Sequence, residues 1–374
     1  MSDSAAEARL TAMKRVGQVL SNKFTLDALL DIGGMAAVYA ATHRNGKKVA
    51  VKMLHPQYAS NEEVKERFLR EGYVANKVDH RGSVQILDDD VTADGAPFLV
   101  MELLSGESLD KWMYSAGGRL TPGDVLALAD QVLDVLDAFH AHGIVHRDIK
   151  PANLFVTRAG VIKVLDFGLA RVRDARMRAT PTASGTIIGT SSYMSPEQAQ
   201  GKNDAVDPRT DVFAVGAVMF HALTGEIVHK GRSAMERLMS AMQTPAPKVR
   251  TLAPHVPLYV GEIIDKALEF HKEDRWPSAA MMRERVRDAY VQLKAARVAS
   301  MPPPPRPADA ATVRPPPEVL AQPARPAAAE PPPAPEPAPP SSAIDPVFEP
   351  SIVVEVSFGG TPLAPPAQGE PKKP

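Results

Sequence analysis

The sequence predicts an α+β domain of two lobes, in which a small antiparallel sheet with one helix precedes a mainly helical part, and a disordered tail follows. Short segments that favour strands, such as residues 48–53 and 98–101, fall in the first part of the chain. Amphipathic helical patterns predominate from Thr121 onward. Two thirds of the 36 prolines lie beyond Ser300, where they exclude helix interiors and central strands.

The strands of the first lobe are predicted around a short turn. Residues 39–41 and 48–53 favour strands, and the Arg-Asn-Gly sequence at 44–46 favours a tight turn between them. Ser60 and Glu63 then form a capping box, and apolar residues recur behind them at helical spacing. One helix is therefore expected after the second of these strands.

The helices of the second lobe begin with another capping box, formed by Thr121 and Asp124. Gly143 is expected to end this helix, because glycine readily adopts the left-handed conformation of a C-terminal cap. The most apolar stretch, residues 212–223, contains His221 and is too short to cross a membrane. We expect it to be a buried helix.

These patterns divide the chain into three parts. They are an N-terminal extension (residues 1–22), a domain (23–293) with lobes at 23–102 and 107–293, and a tail rich in proline and alanine (300–374). The tail buries too little apolar surface to offset its chain entropy, so we predict that it is disordered. An apolar island at 351–358, with the sequence SIVVEVSF, favours a short strand within it.

Composition excludes several classes of function. The formal net charge of −1 and the lack of a basic run give no reason to expect a nucleic-acid partner. The absence of cysteine excludes disulfides and cysteine-ligated zinc. The N-terminus does not have the apolar core of a signal peptide, and no apolar run is long enough for a membrane span. We therefore expect a cytoplasmic protein.

The strongest motif is HRDIKPAN at residues 146–153, which is followed by DFG at 166–168. A carboxylate at Asp148 suits the orientation and deprotonation of a hydroxyl nucleophile. Asn153 and Asp166 offer the oxygen ligands that Mg²⁺ prefers, and Lys150 places positive charge beside a phosphoryl group. Each residue alone would be unremarkable, but the ordered set predicts phosphoryl transfer.

On these residues the chain resembles the eukaryotic-like (Hanks-type) serine/threonine protein kinases of bacteria, over roughly residues 23–290. The resemblance implies a two-lobed protein kinase fold. It also implies ATP as phosphoryl donor, Mg²⁺ with Mn²⁺ as an alternative, and proteins with serine or threonine acceptors as substrates. It assigns catalytic roles to Asp148 and Lys150 and to a pair formed by Lys52, in VAVK at 49–52, and Glu71.

The resemblance also places ATP in the cleft between the lobes, with a hinge at residues 101–104. The implied ATP- and metal-binding residues are Ile32, Gly33, Gly34, Val38, Ala50, Lys52, Met101, Glu102, Leu104, Asn153 and Asp166, of which Asn153 and Asp166 hold the metal. Two further residues have structural roles. Glu197 is expected to form a buried ion pair with Arg275, and Asp211 is expected to brace the backbone of the catalytic loop.

The glycine loop departs from the family pattern. The sequence DIGGMAAV at 31–38 retains only the middle glycine, Gly33, and places Asp31 and Ala36 where glycine is usual. A carboxylate near a triphosphate adds repulsion unless it points away. Two interpretations stay open: either Asp31 weakens ATP binding, or it faces solvent.

The sequence also suggests regulation by phosphorylation. The resemblance implies that Arg147 pairs with a phosphorylated residue in the activation segment. The candidates in that segment are Thr180, Thr182, Ser184 and Thr186. Lys150 and Thr190 both resemble serine/threonine kinases rather than tyrosine kinases.

Two alternatives use the same chain differently. The weak glycine loop would fit a pseudokinase that only binds partners, although Lys52, Glu71, Asp148, Asn153 and Asp166 are all present. The proline-rich tail could dock onto the aromatic groove of a partner, or it could be a solvated spacer.

Overall fold

The structure is a computed structural model that describes residues 3–166 and 191–299. The tail at 300–374, with the apolar island at 351–358, lies outside the described residues. Within them the chain forms mainly strands first and mainly helices afterwards. The predicted two-lobed α+β architecture is confirmed.

The first lobe, or N-lobe, is built on an antiparallel sheet with the strand order β1-β2-β3-β4-β6-β5. The strands are β1 (Val19–Leu20), β2 (Phe24–Ile32), β3 (Ala36–His43), β4 (Lys48–Leu54), β5 (Ile86–Val91) and β6 (Pro97–Glu102). β4 pairs with β3 and β6, and its side chains alternate between two faces. Val51 and Met53 join one apolar cluster, whereas Leu54 joins another, so Lys52 lies on the second face.

The segment before β2 packs against this sheet. Helix α1 (Asp3–Met13) ends at the sheet, where Ala12 is buried in the same cluster as Val51. The Tyr39 hydroxyl donates a hydrogen bond to the Ala12 carbonyl at 3.0 Å. Arg15 also pairs with Asp94. Part of the predicted N-terminal extension therefore contributes to the core of the N-lobe.

Helix α2 (Glu62–Ala75) packs across the other face of the sheet through buried Val64 and Phe68. The predicted cap, Ser60, is wrong by one residue: the side chain of Asn61 accepts the Val64 N–H at 3.2 Å. Asn and Ser are about equally good N-caps, and the two stand side by side in the sequence.

The second lobe, or C-lobe, is mainly helical. Its helices are α3 (Leu109–Ser115), α4 (Pro122–Ala141), α5 (Pro196–Ala199), α6 (Pro208–Thr224), α7 (Ala234–Gln243), α8 (Val249–Leu252), α9 (Leu258–Ala267) and α10 (Ala279–Ala299). Thr121 caps α4 as predicted, and Gly143 follows this helix with a left-handed φ of 69°. α6 contains His221 and is buried on nearly every side, so the predicted buried helix is confirmed.

A small sheet at the junction of the lobes supports the catalytic loop. Its strands are β7 (Gly106–Ser108), β8 (Leu154–Thr157) and β9 (Ile162–Val164), in that order. A Cβ atom on Gly106 would lie 2.0 Å from the Val156 carbonyl oxygen, so only glycine fits at this crossing. β8 begins directly after Asn153, and β9 ends two residues before Asp166.

A polar network ties α10 to the loop between α2 and β5. Arg283 Nε lies 2.7 Å from Asp130 on α4, and Arg283 also pairs with Asp134. Arg287 adds a second contact to Asp130 at 3.1 Å. On the other side of Asp134, His80 Nε2 lies 3.5 Å from the carboxylate. The last described helix is thereby linked through α4 to the segment that follows α2.

None of the helices in these two described stretches combines the length and apolar character needed to cross a lipid bilayer.

The core of the C-lobe contains a histidine with an unsatisfied nitrogen. His229 is 2% exposed, and its Nε2 has no hydrogen-bond partner among the described residues. Its ring stacks on Phe213, with ring centroids 6.3 Å apart and planes 7° apart. Burial lowers the pKa of His229 from the usual 6.5 to about 4.

We predict that His229→Phe makes the protein more stable, and increasingly so in acid. Phenylalanine keeps the stacking and removes a buried unsatisfied nitrogen, which gives about 1 kcal/mol at pH 7.5. Between pH 6.5 and pH 4 the unfolded chain protonates His229 and the folded chain does not, so the free energy of unfolding of the wild type falls as the pH drops. This adds a further difference of about 2 kcal/mol at pH 5.

Urea denaturation of both proteins between pH 5 and pH 8 measures this difference. His255→Phe, at an exposed position, is the matched control and should leave the pH dependence unchanged. Parallel stability curves for the wild type and His229→Phe would contradict the prediction.

Candidate active site

Lys52 makes the central ion pairs of the cleft. It lies on β4 between Val51 and Met53, both buried, so its amine leaves the sheet on the face toward α2. Its Nζ is 3.0 Å from Glu71 Oε1 and 2.6 Å from Asp166 Oδ1. The lysine side chain is 18% exposed, so these two carboxylates supply the compensation that a largely buried charge requires. The predicted pairing of Lys52 with Glu71 is confirmed.

The pKa values of Lys52, Glu71 and Asp166 depend on one another. Burial alone would lower the pKa of Lys52, but Asp166 and Glu71 outweigh burial and raise this pKa above its usual value. Partial burial would raise the pKa of Asp166, but the Lys52 ammonium lowers it. Burial raises the pKa of Glu71 despite Lys52. Lys52 and Asp166 are therefore a charged pair at neutral pH.

The position of Glu71 depends on the close approach of α2 to the sheet. The next residue, Gly72, faces Leu99, which is the strand partner of Lys52 in β6. A Cβ atom on Gly72 would lie 2.5 Å from Leu99 Cδ1. The absence of a side chain at this position lets the helix approach closely enough for Glu71 to reach the lysine.

The catalytic loop brings together three of the predicted residues. Lys150 Nζ lies 3.0 Å from Asp148 Oδ2. The Asn153 side-chain amide donates hydrogen bonds to the Asp148 carbonyl at 2.8 Å and to Asp148 Oδ2 at 3.2 Å. Asn153 ends a 3₁₀ turn at Pro151–Asn153 that brings its amide back beneath Asp148. The Asp148 carboxylate is thus held by two neighbours from its own loop.

Asp211 on α6 fixes the backbone of this loop. Its fully buried carboxylate accepts the N–H groups of His146 and Arg147, both at 2.8 Å. It also lies 2.8 Å from Nε2 of His140 on α4. Arg147 has a left-handed φ of 68°, which two bonds to one carboxylate help to enforce. The predicted bracing role of Asp211 is confirmed, whereas the sequence did not reveal His140.

Asp166 connects the catalytic loop to the pair formed by Lys52 and Glu71. Its neighbour Leu165 donates its N–H to the Asn153 carbonyl at 2.8 Å, and the Leu165 carbonyl lies 3.0 Å from His146 Nε2. The half-exposed carboxylate of Asp166 then reaches Lys52 in the N-lobe. The structure therefore brings Lys52, Glu71, Asp148, Lys150, Asn153 and Asp166 into one connected site.

Asn153 and Asp166 fit a divalent metal ion by donor chemistry. The Asn153 amide nitrogen makes both described bonds to Asp148, so its oxygen is the atom that remains for a metal. Asp166 adds a carboxylate that is 52% exposed and reachable by a ligand. These two oxygen donors would leave the remaining coordination positions of the ion to phosphate and water. Mg²⁺ sites that bind substrate phosphates usually have this composition.

Of the predicted ATP-binding residues, Val38, Ala50 and Met101 share one face of the sheet, whereas Ile32 packs against the cluster on the opposite face. Val38 and Leu99 are both paired with Lys52, and Ala50 is paired with Met101. Since directly paired residues lie on the same side of a sheet, these side chains belong to the Lys52 face. Leu104 follows β6 and is half-buried.

Glu102 at the hinge has a side-chain role that the sequence did not reveal. Its Oε1 accepts Lys163 Nζ at 2.7 Å and the Gln85 N–H at 2.9 Å. Lys163 on β9 also donates to the Ser83 carbonyl at 2.9 Å. The end of β6 is thereby tied to β9 and to the loop before β5.

The glycine loop lies at the turn between β2 and β3, above the Lys52 face. It contains Ile32, Gly33 and Gly34, and the Gly33 N–H donates to the Ala36 carbonyl at 2.8 Å. Asp31 is exposed, and its Oδ1 accepts the N–H of Ile32 at 2.8 Å. Asp31 is also the strand partner of Val38, so its side chain belongs to the Lys52 face, and its exposure favours screening of the carboxylate by solvent.

A buried ion pair anchors the residues after the activation segment. Arg275 is 2% exposed and makes two bonds of 2.9 Å to the Glu197 carboxylate, as the sequence predicted. Burial would raise the pKa of Glu197, but hydrogen bonding to Arg275 lowers it. The Gln198 side chain donates to the Arg147 carbonyl at 2.9 Å, which connects this anchor to the catalytic loop.

Several predicted residues lie outside the described residues. They are Phe167 and Gly168 of the DFG motif and the candidate phosphorylation sites Thr180, Thr182, Ser184 and Thr186.

Comparisons with known proteins agree with this geometry. The protein kinase domain family matches residues 24–286. The chain is 38% identical to the serine/threonine-protein kinase Pkn1 of Myxococcus xanthus, over 73% of this chain and 39% of Pkn1. It is 35% identical to the serine/threonine-protein kinase PknA of Mycobacterium tuberculosis, over 79% of this chain and 68% of PknA.

A solved structure shares the fold. The crystal structure of the Mycobacterium tuberculosis PknI kinase domain superimposes with a TM-score of 0.57 and 25% identity, over 73% of this chain and 98% of that domain. The chain spans about two fifths of the length of Pkn1 and of the probable kinase PknB of Corynebacterium glutamicum. Because the family model, the fold and the connected site agree, we conclude that the chain belongs to the protein kinase family.

Proposed function

We propose that the chain transfers the γ-phosphoryl group of ATP to serine or threonine hydroxyls of proteins. The observation that carries the proposal is the continuous chain of contacts from Glu71 through Lys52 and Asp166 to the catalytic loop with Asp148. In this proposal the amine of Lys52 binds phosphate, Asn153 and Asp166 bind the metal ion, and Asp148 accepts the proton, all around one cleft. The names of the relatives Pkn1 and PknA support serine and threonine as acceptors.

In this mechanism the protein supplies position and charge. Lys52 is already held by Glu71, so it can exchange its bond to Asp166 for the phosphates of ATP without moving far. Asp148 orients the substrate hydroxyl and accepts its proton as the new O–P bond forms. The bond from the γ-phosphorus to the β–γ bridging oxygen breaks, and ADP leaves. Lys150 lies beside Asp148 and offsets negative charge on the transferred group.

Protein kinases use ATP with a divalent metal ion, and we propose Mg²⁺ here, with Mn²⁺ as an alternative. Asn153 and Asp166 would hold the ion, which when bound neutralises charge on the phosphates. The bond from Asn153 to Asp148 would keep the amide oriented for this purpose.

We predict that Asp148→Asn lowers kcat for transfer to a generic basic protein by at least about 100-fold, because the amide cannot accept the proton. Nucleotide affinity should change little, since the substitution keeps the size of the side chain. Radiolabelled ATP with phosphoamino-acid identification measures both the rate and the acceptor type.

Asp288→Asn, at an exposed position on α10, is the control and should retain full activity. A wild type that binds nucleotide without transferring phosphate would instead support the pseudokinase alternative. Phosphotyrosine as the main product would contradict the proposed acceptors.

The glycine loop gives a second test of the nucleotide site. Because the Asp31 carboxylate is exposed and accepts the N–H of Ile32, Asp31→Gly should improve ATP affinity by no more than about threefold, as expected for a charge screened by solvent. Fluorescence titration with a labelled ATP analogue measures it. A gain of tenfold or more would show that the carboxylate faces the phosphates.

We further propose that phosphorylation within residues 180–186 activates the kinase. The Arg147 side chain supports this proposal: its Nε is buried and has no hydrogen-bond partner among the described residues. A phosphate carries nearly two negative charges and forms strong hydrogen bonds with guanidinium groups, so it could pair with Arg147 and order the segment.

Mass spectrometry after incubation with Mg-ATP should find phosphate on Thr180, Thr182, Ser184 or Thr186. Replacing all four with alanine should abolish the rise in activity that preincubation with Mg-ATP gives the wild type. Lys52→Met, which cannot orient ATP, is the control for phosphorylation by another kinase. Phosphate found only outside this segment would contradict the mechanism.

A further inference from the structure

The glycine loop has fewer glycines than the family pattern, and its backbone forms a hydrogen-bonded turn. Of the three family positions for glycine only Gly33 is retained. The Gly33 N–H bonds to the Ala36 carbonyl, which closes the turn between β2 and β3. The Gly33 carbonyl accepts a hydrogen bond from a residue outside this turn.

That partner is His55, the first residue after β4. Its Nε2 lies 2.9 Å from the Gly33 carbonyl oxygen. A carbonyl oxygen only accepts hydrogen bonds, so Nε2 must carry the proton and donate it. The His55 N–H also donates to the Met35 carbonyl at 2.8 Å. One residue therefore makes two hydrogen bonds to the loop.

The position of His55 is fixed by its surroundings. The residue is 9% exposed, so water competes little for these bonds. Pro56 follows, and a residue before proline is restricted to extended conformations, as the observed φ of −65° and ψ of 142° show. The imidazole is thus held in place before any ligand binds.

His55 adds a side-chain contact between two parts of the nucleotide site that the sheet joins through the pairs of Val38 with Lys52 and Ala36 with Leu54. Lys52 lies three residues earlier on β4, and the glycine loop lies at the end of β2 and the start of β3. The hydrogen bond from His55 to Gly33 fixes the position of the glycine loop relative to β4, the strand that carries Lys52. Preorganising a binding loop raises affinity, because less conformational entropy is lost on binding.

We infer that His55 is a positioning residue that holds the glycine loop in its ATP-binding conformation. The inference rests on the proposed use of ATP. It assigns to His55 an effect on nucleotide affinity and not on the chemical step, since the residue does not contact Asp148 or Asp166 in the described structure.

Two substitutions separate the hydrogen bond from the volume of the side chain. His55→Leu removes the donor and keeps an apolar group of similar size. His55→Gln keeps an N–H donor the same number of bonds from Cα. The quantities to measure are the dissociation constant of a fluorescent ATP analogue, KM for ATP, kcat and the melting temperature of the full chain.

The leucine variant should raise the dissociation constant and KM for ATP about fivefold, the ratio expected from the loss of one ordinary hydrogen bond. Its kcat should stay within about twofold of the wild type. The glutamine variant should restore nucleotide affinity to within about twofold. If the leucine variant does not fold, His55→Asn, whose amide is too short to reach Gly33, takes its place.

Unchanged nucleotide affinity in a folded leucine or asparagine variant would overturn the inference. A glutamine variant as weak as the leucine variant would do so too, as would a loss confined to kcat. These outcomes differ from failure of the proposed function, which would appear as a wild type that does not transfer phosphate from ATP.

Discussion

The active site depends on one buried carboxylate, that of Asp211. It lies inside the C-lobe on a helix that is itself buried, and a charge in that position must be satisfied by hydrogen bonds. Its partners are the N–H groups of His146 and Arg147 and the ring of His140. Hydrogen bonds to a charged group contribute about 1.5–3 kcal/mol each, enough to hold Arg147 in an unfavourable backbone conformation. Asp148 follows immediately, so the position of its carboxylate is set from the core outward.

The second requirement is that the two lobes place their charges in one cleft. Asp166 is fixed in the C-lobe through Leu165, which bonds to Asn153 and His146, and its carboxylate reaches Lys52 in the N-lobe. Glu71 holds the same lysine from α2, where Gly72 permits the close contact with the sheet. The lysine thus receives one carboxylate from each lobe. Since an unpaired buried charge is costly, each lobe stabilises the arrangement of the other.

Sequence reasoning found the residues whose chemistry is encoded by local spacing, such as Asp148, Asn153 and the Lys52 of the VAVK motif. It also found the partners Glu71, Arg275 and Asp211, although only through resemblance to a family. It did not find His55, His140 or Lys163, because their partners are distant in the sequence. The partners of His55 and one partner of Lys163 are also backbone carbonyls, which any residue can provide. The cap of α2 was wrong by one residue, since Ser60 and Asn61 offer equivalent side chains and only the path of the backbone chooses between them.

The network around Asp130 and Asp134 affects where the chain can be truncated without losing contacts of α10. The family match ends at residue 286, but Arg287 contacts Asp130 and α10 continues to Ala299. Arg283 holds the same two aspartates, and Asp134 in turn lies beside His80, in the loop that follows α2. A chain trimmed to the family boundary would lose the Arg287 contact and the last turns of α10, but it would keep Arg283 and its link through Asp134 to His80. Expression boundaries chosen from sequence similarity alone would therefore remove one of the two arginines that join α10 to Asp130 of α4.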